Sequence, residues 1–282
     1  MVKIEKLTRY KEIATLLIKY GRADIVEATG LETAELVDDS ASAPKGDPEE
    51  LARDLESMGP TFIKIGQFLS SRSDLIAKPY LDALSRLQDD VEPFPFNEVE
   101  ELIEAELNVR LSKAFEQFNP KPMASASLGQ VHRATLRNGQ EVIVKIQRPG
   151  VRELIMKDLD VIDEIVNLID NHTALGRHYP IAEMFQTFRR SLLRELNYLR
   201  EANNLVRLGS DLSDYEHIVV PQPVNSYTTS TILTMDYIAG AKITSLSPLA
   251  RLEIDSATLA EELAKAYLDQ VLVHGFFHAD LR

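Results

Sequence analysis

Residues 124–147, ASASLGQVHRATLRNGQEVIVKIQ, decide the fold. Asn138-Gly139 stands at their centre, and Asn-Gly between two β-prone runs is the strongest short signal for a two-residue hairpin, because both residues tolerate positive φ. In the second run Val142, Val144 and Ile146 alternate with Ile143 and Lys145. A strand turns successive side chains to opposite faces, so Lys145 is expected across the sheet from the valines. Ahead of the first run, Ala124, Ser125, Ala126, Ser127, Leu128 and Gly129 form a loop of mostly small side chains, over which a ligand can approach the backbone.

On either side of this hairpin the period changes. Upstream, the spacing of Ile4, Leu7, Ala14, Leu17 and Ile18 predicts a first helix, and helix is expected again from Glu49 to about Gln88, broken at Gly59-Pro60. A third helix is expected after Asn97 as N-cap, with Val99, Ile103, Leu107, Leu111 and Phe115 along one side, so residues 1–118 read as all-helical. Residues 38–48, DDSASAPKGDP, read as a polar linker. Downstream, Leu154, Ile155, Leu159, Ile162, Val166 and Ile169 predict a long helix from Val151, and a second is expected from about Ile181 to Leu208. His217–Val220 and Thr231–Ile238 read as strands, and residues 256–273 as a final helix. This order belongs to an α+β protein. Three parts are expected: 1–118 as a helical extension, 119–240 as a sheet-bearing domain and 241–282 as the start of a second helical part.

The composition narrows the function. The chain has 282 residues, with 31 Lys and Arg against 44 Asp and Glu, a formal charge of −13. That balance speaks against nucleic acid as a partner, because duplex binding depends on cations meeting phosphates. The chain has no cysteine, so disulfides and thiolate metal sites are excluded. No apolar run reaches membrane-spanning length and the start lacks a signal-peptide pattern, which makes a cytoplasmic location the expectation. The first helix carries Lys3, Lys6, Arg9, Lys11, Lys19 and Arg22 on its polar side. Such a helix can lie on an anionic membrane or dock on its own domain.

A small-residue loop, a hairpin and a lysine closing V-I-V-K form the arrangement by which a kinase small lobe holds ATP. Lys145 would present a point charge to the α- and β-phosphates. Taken alone, a solvated strand lysine gives the same pattern, and Gly129 is the single glycine where an ordinary kinase loop has three. The wider stretch is more specific. An alanine- and serine-rich loop running into Gly129-Gln130-Val131-His132, then VKIQRPGV at 144–151, resembles the AarF/UbiB family of atypical protein-kinase-like ATPases, the ubiquinone-biosynthesis kinase-like proteins. A K-x-G-Q motif stands at Lys64-Ile65-Gly66-Gln67, a match to E-x-D-Y-x-x-E-A at Glu195–Ala202, and H-x-D at His278-Ala279-Asp280. The resemblance extends from about Glu49 to the end.

The resemblance implies a protein-kinase-like small lobe preceded by a helical extension carrying K-x-G-Q. Residues 124–132 would line the nucleotide, and Glu201 would hold Lys145. Lys64, which shares a helix face with Gln67, would pair with Glu195 across the place where a protein substrate enters. Asp280 would be the catalytic aspartate. Met235-Asp236-Tyr237-Ile238 resembles the hinge, with Met235, Asp236 and Ile238 beside adenine. Asn197 stands where the motif has Asp, which bears on metal affinity and nucleotide choice. The implied cofactors are ATP and Mg2+, with magnesium ligands beyond Arg282. The chain is therefore expected to be a C-terminally truncated, inactive piece of an ATPase or phosphotransferase. The implied setting is ubiquinone or isoprenoid-quinone biosynthesis, with lipid or quinone-biosynthesis proteins as partners and a peripheral place on the inner face of the membrane. Two other readings stay open: a non-catalytic nucleotide-binding pseudokinase scaffold, and a helical interaction protein that binds no nucleotide. A metal site of His274, His278 and Asp280 is the rival reading of the last motif; it lacks the H-E-x-x-H arrangement, and Gly275 weakens the helix there.

Overall fold

Two prolines set the starts of two helices in the helical part. Pro48 and Pro60 each occupy the first turn of a helix, where the missing N–H is no loss. Asp47 caps the first of these by accepting the Glu50 N–H at 2.7 Å. The computed structural model describes residues 2–20, 47–87, 91–241, 247 and 255–279. Its helices are α1 Val2–Lys19, α2 Pro48–Ser57, α3 Pro60–Ser70, α4 Lys78–Leu84, α5 Phe96–Leu107, α6 Leu111–Ala114, α7 Val151–His172, α8 Ala174–His178, α9 Ile181–Glu195, α10 Tyr198–Asp211 and α11 Ser256–Asp269. Its strands are β1 Phe115–Phe118, β2 Ala124–Ser125, β3 Gly129–Leu136, β4 Glu141–Gln147 and β5 Ile232–Asp236.

These elements form two units, each assembled from separate stretches of chain. The first comprises Met1–Pro93, Ser125–Gly129 and Gln147–Leu196. Its core is the apolar stripe of α7, with Ile155, Leu159, Ile162 and Ile169, packed with Leu55, Phe62, Phe185, Phe188 and Leu192. Asp158 interrupts that stripe with a carboxylate whose side chain is only 3% exposed. Arg9 of α1 donates to both its oxygens, at 2.7 and 2.8 Å, and the Thr61 hydroxyl donates at 2.5 Å. Burying a charge is tolerated only when it is paired and hydrogen-bonded. Lys6 and Lys19 meet Glu164 and Asp54, both at 2.6 Å, so α1 is docked on its own unit through the cations that the sequence left open to two uses.

The second unit comprises Phe94–Ala124, Gln130–Ile146 and Asn197–Arg282. Its five-stranded sheet runs β1-β3-β4-β5, with β2 paired to β3. β3 and β4 are joined at Asn138-Gly139, where Gly139 has φ of 84°, the positive value the turn demands. Val142, Val144 and Ile146 are fully buried and cluster with Val99 and Ile103 of α5, Phe115 of β1 and Ile232 of β5. On the other face Leu233 meets Tyr198 and Ala202 of α10. β4 and β5 pair antiparallel with Lys145 opposite Leu233. The α+β expectation and the hairpin therefore hold.

Several expected boundaries move. Phe115 ends the helical part as the first residue of β1, not as a helix position, so residues 115–118 are strand. α5 begins at Phe96 behind Pro95, which places Asn97 inside the first turn instead of at the cap. The helix expected over residues 181–208 is two helices, broken at Leu196-Asn197. His217–Val220 forms no strand; only Pro223 in that neighbourhood makes a bridge, to Met235. The final helix changes to a π turn over Gln270–His274. The linker at 38–46 and Asp280 lie outside the described residues. Among the described residues, no helix is long and apolar enough to cross a membrane.

Candidate nucleotide-binding site

The pleat of β4 puts Lys145 on the face that α10 covers. Its ammonium donates to both carboxylate oxygens of Glu201, at 3.0 and 2.8 Å. It also lies 4.7 Å from the centroid of the Tyr198 ring, whose negative face attracts a cation. Lys145 is 29% and Glu201 35% exposed on their side chains, so the pair is held from within yet open to solvent on one side. At that exposure, a large buried-pair energy is not in play, and the interaction is worth about 1 kcal/mol at most. What the geometry supplies is position: an ammonium held between the Glu201 carboxylate and the Tyr198 ring.

The residues expected to form a hinge, Met235, Asp236 and Ile238, lie at the end of β5 and just beyond it. Met235 is partly buried against the cluster of Tyr198, Ala202 and Leu233. Asp236 is engaged inside the protein. Its carboxylate accepts from the Gln140 side-chain amide at 2.8 Å and from the Gln222 N–H at 2.9 Å, and its own N–H goes to the Gln222 carbonyl. Ile238, just beyond, is 46% exposed.

Gln130 and His132 do not present side chains to a ligand. Both are buried, on the α5 side of the sheet. The Gln130 side-chain oxygen accepts the Phe94 N–H at 3.1 Å, and the His132 ring packs at a tilt against Phe96 and Phe118. His132 Nδ1 lies 2.8 Å from the Asn119 carbonyl and therefore carries the proton, leaving Nε2 to accept from the Gln130 amide at 3.0 Å. Burial pushes the His132 pKa below the usual value. The Q-V-H signature thus reads, for Gln130 and His132, as side-chain packing; Val131 between them is partly buried and its carbonyl accepts from Met123 N–H. Ala124, in β2, is exposed.

In the first unit, the loop of Ser125, Ala126, Ser127, Leu128 and Gly129 is tied down by a residue that the motif reading passed over. Arg148 donates to the Glu92 carbonyl at 3.0 Å, to Ser125 Oγ at 3.3 Å and to the Ala126 carbonyl at 3.4 Å, while its N–H meets the Leu128 carbonyl. Ser127 and Leu128 are buried, and a cleft of about 600 Å³ opens beside Ser127, Arg148, Glu92 and Gly59. The arginine of Q-R-P-G was the available sequence signal. The same unit brings Lys64 and Glu195 together at 2.7 Å, with Lys64 13% and Glu195 44% exposed. Gly66 lies in close approach to its neighbours: a Cβ there would sit 2.2 Å from Leu87 Cδ1, the tip of a side chain that would have to turn aside. Gln67 donates weakly to the Leu87 carbonyl, at 3.4 Å.

Asn197 is the N-cap of α10, its side chain accepting the Arg200 N–H. Among the described residues there is no group of three His, Asp or Glu able to hold a metal. His274 and His278 are both described, and His274 Nδ1 faces Asp211 at 3.6 Å.

Residues 86–282 match the family described as the ABC1 atypical kinase-like domain. The Arabidopsis thaliana protein Activity of BC1 complex kinase 8, chloroplastic, is 40% identical over 82% of this chain and 30% of its own length. A Cellvibrio japonicus protein named Probable protein kinase UbiB is 35% identical over 83% of this chain and 42% of its own. A solved Mycobacterium tuberculosis structure, the complex of Rv3197 with erythromycin, shares 28% identity over 67% of this chain and 48% of that one, with a TM-score of 0.47. The chain spans about a third to a half of the length of the curated relatives it matches. With two thirds of its residues in the family match and UbiB-named relatives above 30% identity, this chain belongs to the ABC1 atypical kinase-like family.

Proposed function

We propose that this chain carries the ATP-holding part of a kinase-like ATPase or phosphotransferase that supports isoprenoid-quinone biosynthesis. The observation that carries the reading is the Lys145–Glu201 pair, with both carboxylate oxygens on one ammonium. Family membership gives that pair its meaning, since in kinase-like proteins a glutamate holds the lysine straight for the α- and β-phosphates. The quinone setting is supported by the UbiB name that relatives bear. Magnesium, when bound with ATP, neutralises charge on the phosphates; what this chain's own residues do is hold an ammonium in place and present the backbone beyond Asp236 to a base.

Thermal unfolding with ATP or ADP, with and without magnesium, tests it. At a hundredfold excess over Kd the melting temperature rises by roughly 5 °C, and Lys145→Ala removes most of the rise. No rise with either nucleotide, in the parent and the variant alike, overturns the reading in favour of an interaction protein. A scaffold without turnover is favoured by Asn197 in place of Asp and by the single glycine of the loop. Phosphate release by the intact protein and its Asp280→Asn form decides between the two, equal rates meaning scaffold.

A further inference from the structure

The residue that departs from its motif occupies a position with a defined mechanical task. Helix α9 ends at Glu195 and α10 starts at Tyr198. Asn197 has φ of −120° and ψ of 96°, the extended backbone of an N-cap, and its side-chain oxygen accepts the Arg200 N–H at 3.3 Å. Its backbone carbonyl receives the N–H groups of Arg200 and Glu201, at 3.1 and 3.3 Å. Glu201 is thus hung directly on the cap residue, one turn into the helix. The next anchor is Tyr198, whose N–H is bonded to the Ser230 carbonyl at 3.1 Å and whose buried ring lies beneath the Lys145 ammonium. The first turn of α10 therefore fixes the glutamate and the ring that together direct the lysine.

We infer that Asn197 is a positioning residue for the nucleotide lysine: by capping α10 it sets the turn from which Glu201 reaches Lys145. The inference rests on the nucleotide reading for one of its readouts and not for the other. A carboxylate is as good an N-cap as an amide, and its charge is welcome at the positive end of the helix dipole. Asp and Asn are then interchangeable in this task, which explains how the chain carries Asn197 without loss of the pair. A residue acting instead on the metal or on the phosphates has no such freedom, since an amide is neutral where a carboxylate is charged.

ATP binding is measured with and without magnesium for Asn197→Ala, Asn197→Asp and each in a Glu201→Gln background. Asn197→Ala weakens binding by roughly fivefold, the size of a lost cap, to the same degree with and without magnesium; Asn197→Asp keeps the parent affinity; and in Glu201→Gln the alanine change has less than about a twofold effect, because the group it positions is gone. A change in magnesium dependence on Asn197→Asp, or an alanine effect undiminished in Glu201→Gln, overturns the inference. If the parent binds no nucleotide, the function proposed above fails and the cap is tested by amide exchange. Arg200 and Glu201 exchange faster in Asn197→Ala and unchanged in Asn197→Asp if the cap is as described, and unequal behaviour of Asn and Asp there sinks it.

Discussion

His132 is fully buried and neutral, one ring nitrogen donating to a backbone carbonyl and the other accepting from Gln130. Burial lowers its pKa in the folded protein below 6.5, the value it regains on unfolding. Between the two values the unfolded chain binds more protons, so stability rises with pH. The contribution of this residue is complete above pH 6.5 and is lost as pH falls toward the lowered folded value. Urea unfolding at pH 7.5 and pH 5.5 is expected to show a loss at the acid end that shrinks in His132→Phe; an identical loss in both proteins removes His132 from the account. His217 works in the opposite direction, because its hydrogen bond to Glu262 raises its pKa and favours the protonated, folded form at low pH. At this scale the motif lysines and glutamates were legible, since the resemblance paired Lys64 with Glu195 and Lys145 with Glu201. Gln130 and His132 were legible as a motif yet not as packing, because polar residues on a strand carry no mark of which face is buried.

The hairpin was legible to within a residue or two, because Asn-Gly and a strict period of two are local signals. The break between α9 and α10 was not. Leu192, Leu196 and Leu199 continue a helical spacing straight through it, and an N-cap asparagine inside a periodic run looks like any polar surface residue. Phe115 failed for the same reason, since four residues after Leu111 it fits the helix it has just left. His217–Val220 has strand composition, but the residues that meet the β5 edge are Gln222, Pro223 and Val224, just after it. Helix α3 shows how tightly a motif element can be seated. Gly66 faces Leu87 and Leu55 so closely that a methyl group there displaces the Leu87 side chain. Gly66→Ala gains helix propensity of up to about 1 kcal/mol against an overpacking penalty of about 1–3 kcal/mol. A net loss of about 1 kcal/mol is expected in chemical denaturation, and Gly66→Ala paired with Leu87→Ala should recover part of the overpacking share.

Neither unit is a continuous stretch of sequence. The chain changes unit after Pro93, Ala124, Gly129, Ile146 and Leu196. The early helices therefore share their core with later ones: Leu55, Phe62, Leu84 and Leu87 form one cluster with Ile155, Leu159 and Phe188, which arrive much later. A fragment ending at Pro93 is expected to show little helical circular dichroism and no dispersed amide resonances, and to gain both when a peptide of residues 147–196 is added. A folded fragment without the peptide would contradict that shared core. Such interleaving is invisible to a left-to-right reading, which takes each change of period as a boundary between parts.

The same threading sets an order of events during synthesis. Roughly a hundred residues separate the last of the early helices from Leu196, and at about 5–20 residues per second the ribosome needs on the order of 5–20 s to deliver them. For that interval the side of α3 that later meets α7 and α9 stands open beside the exit tunnel. The nascent protein is a natural client for holding chaperones, and codon changes that slow translation between residues 94 and 196 should lower its yield more than the same changes placed elsewhere.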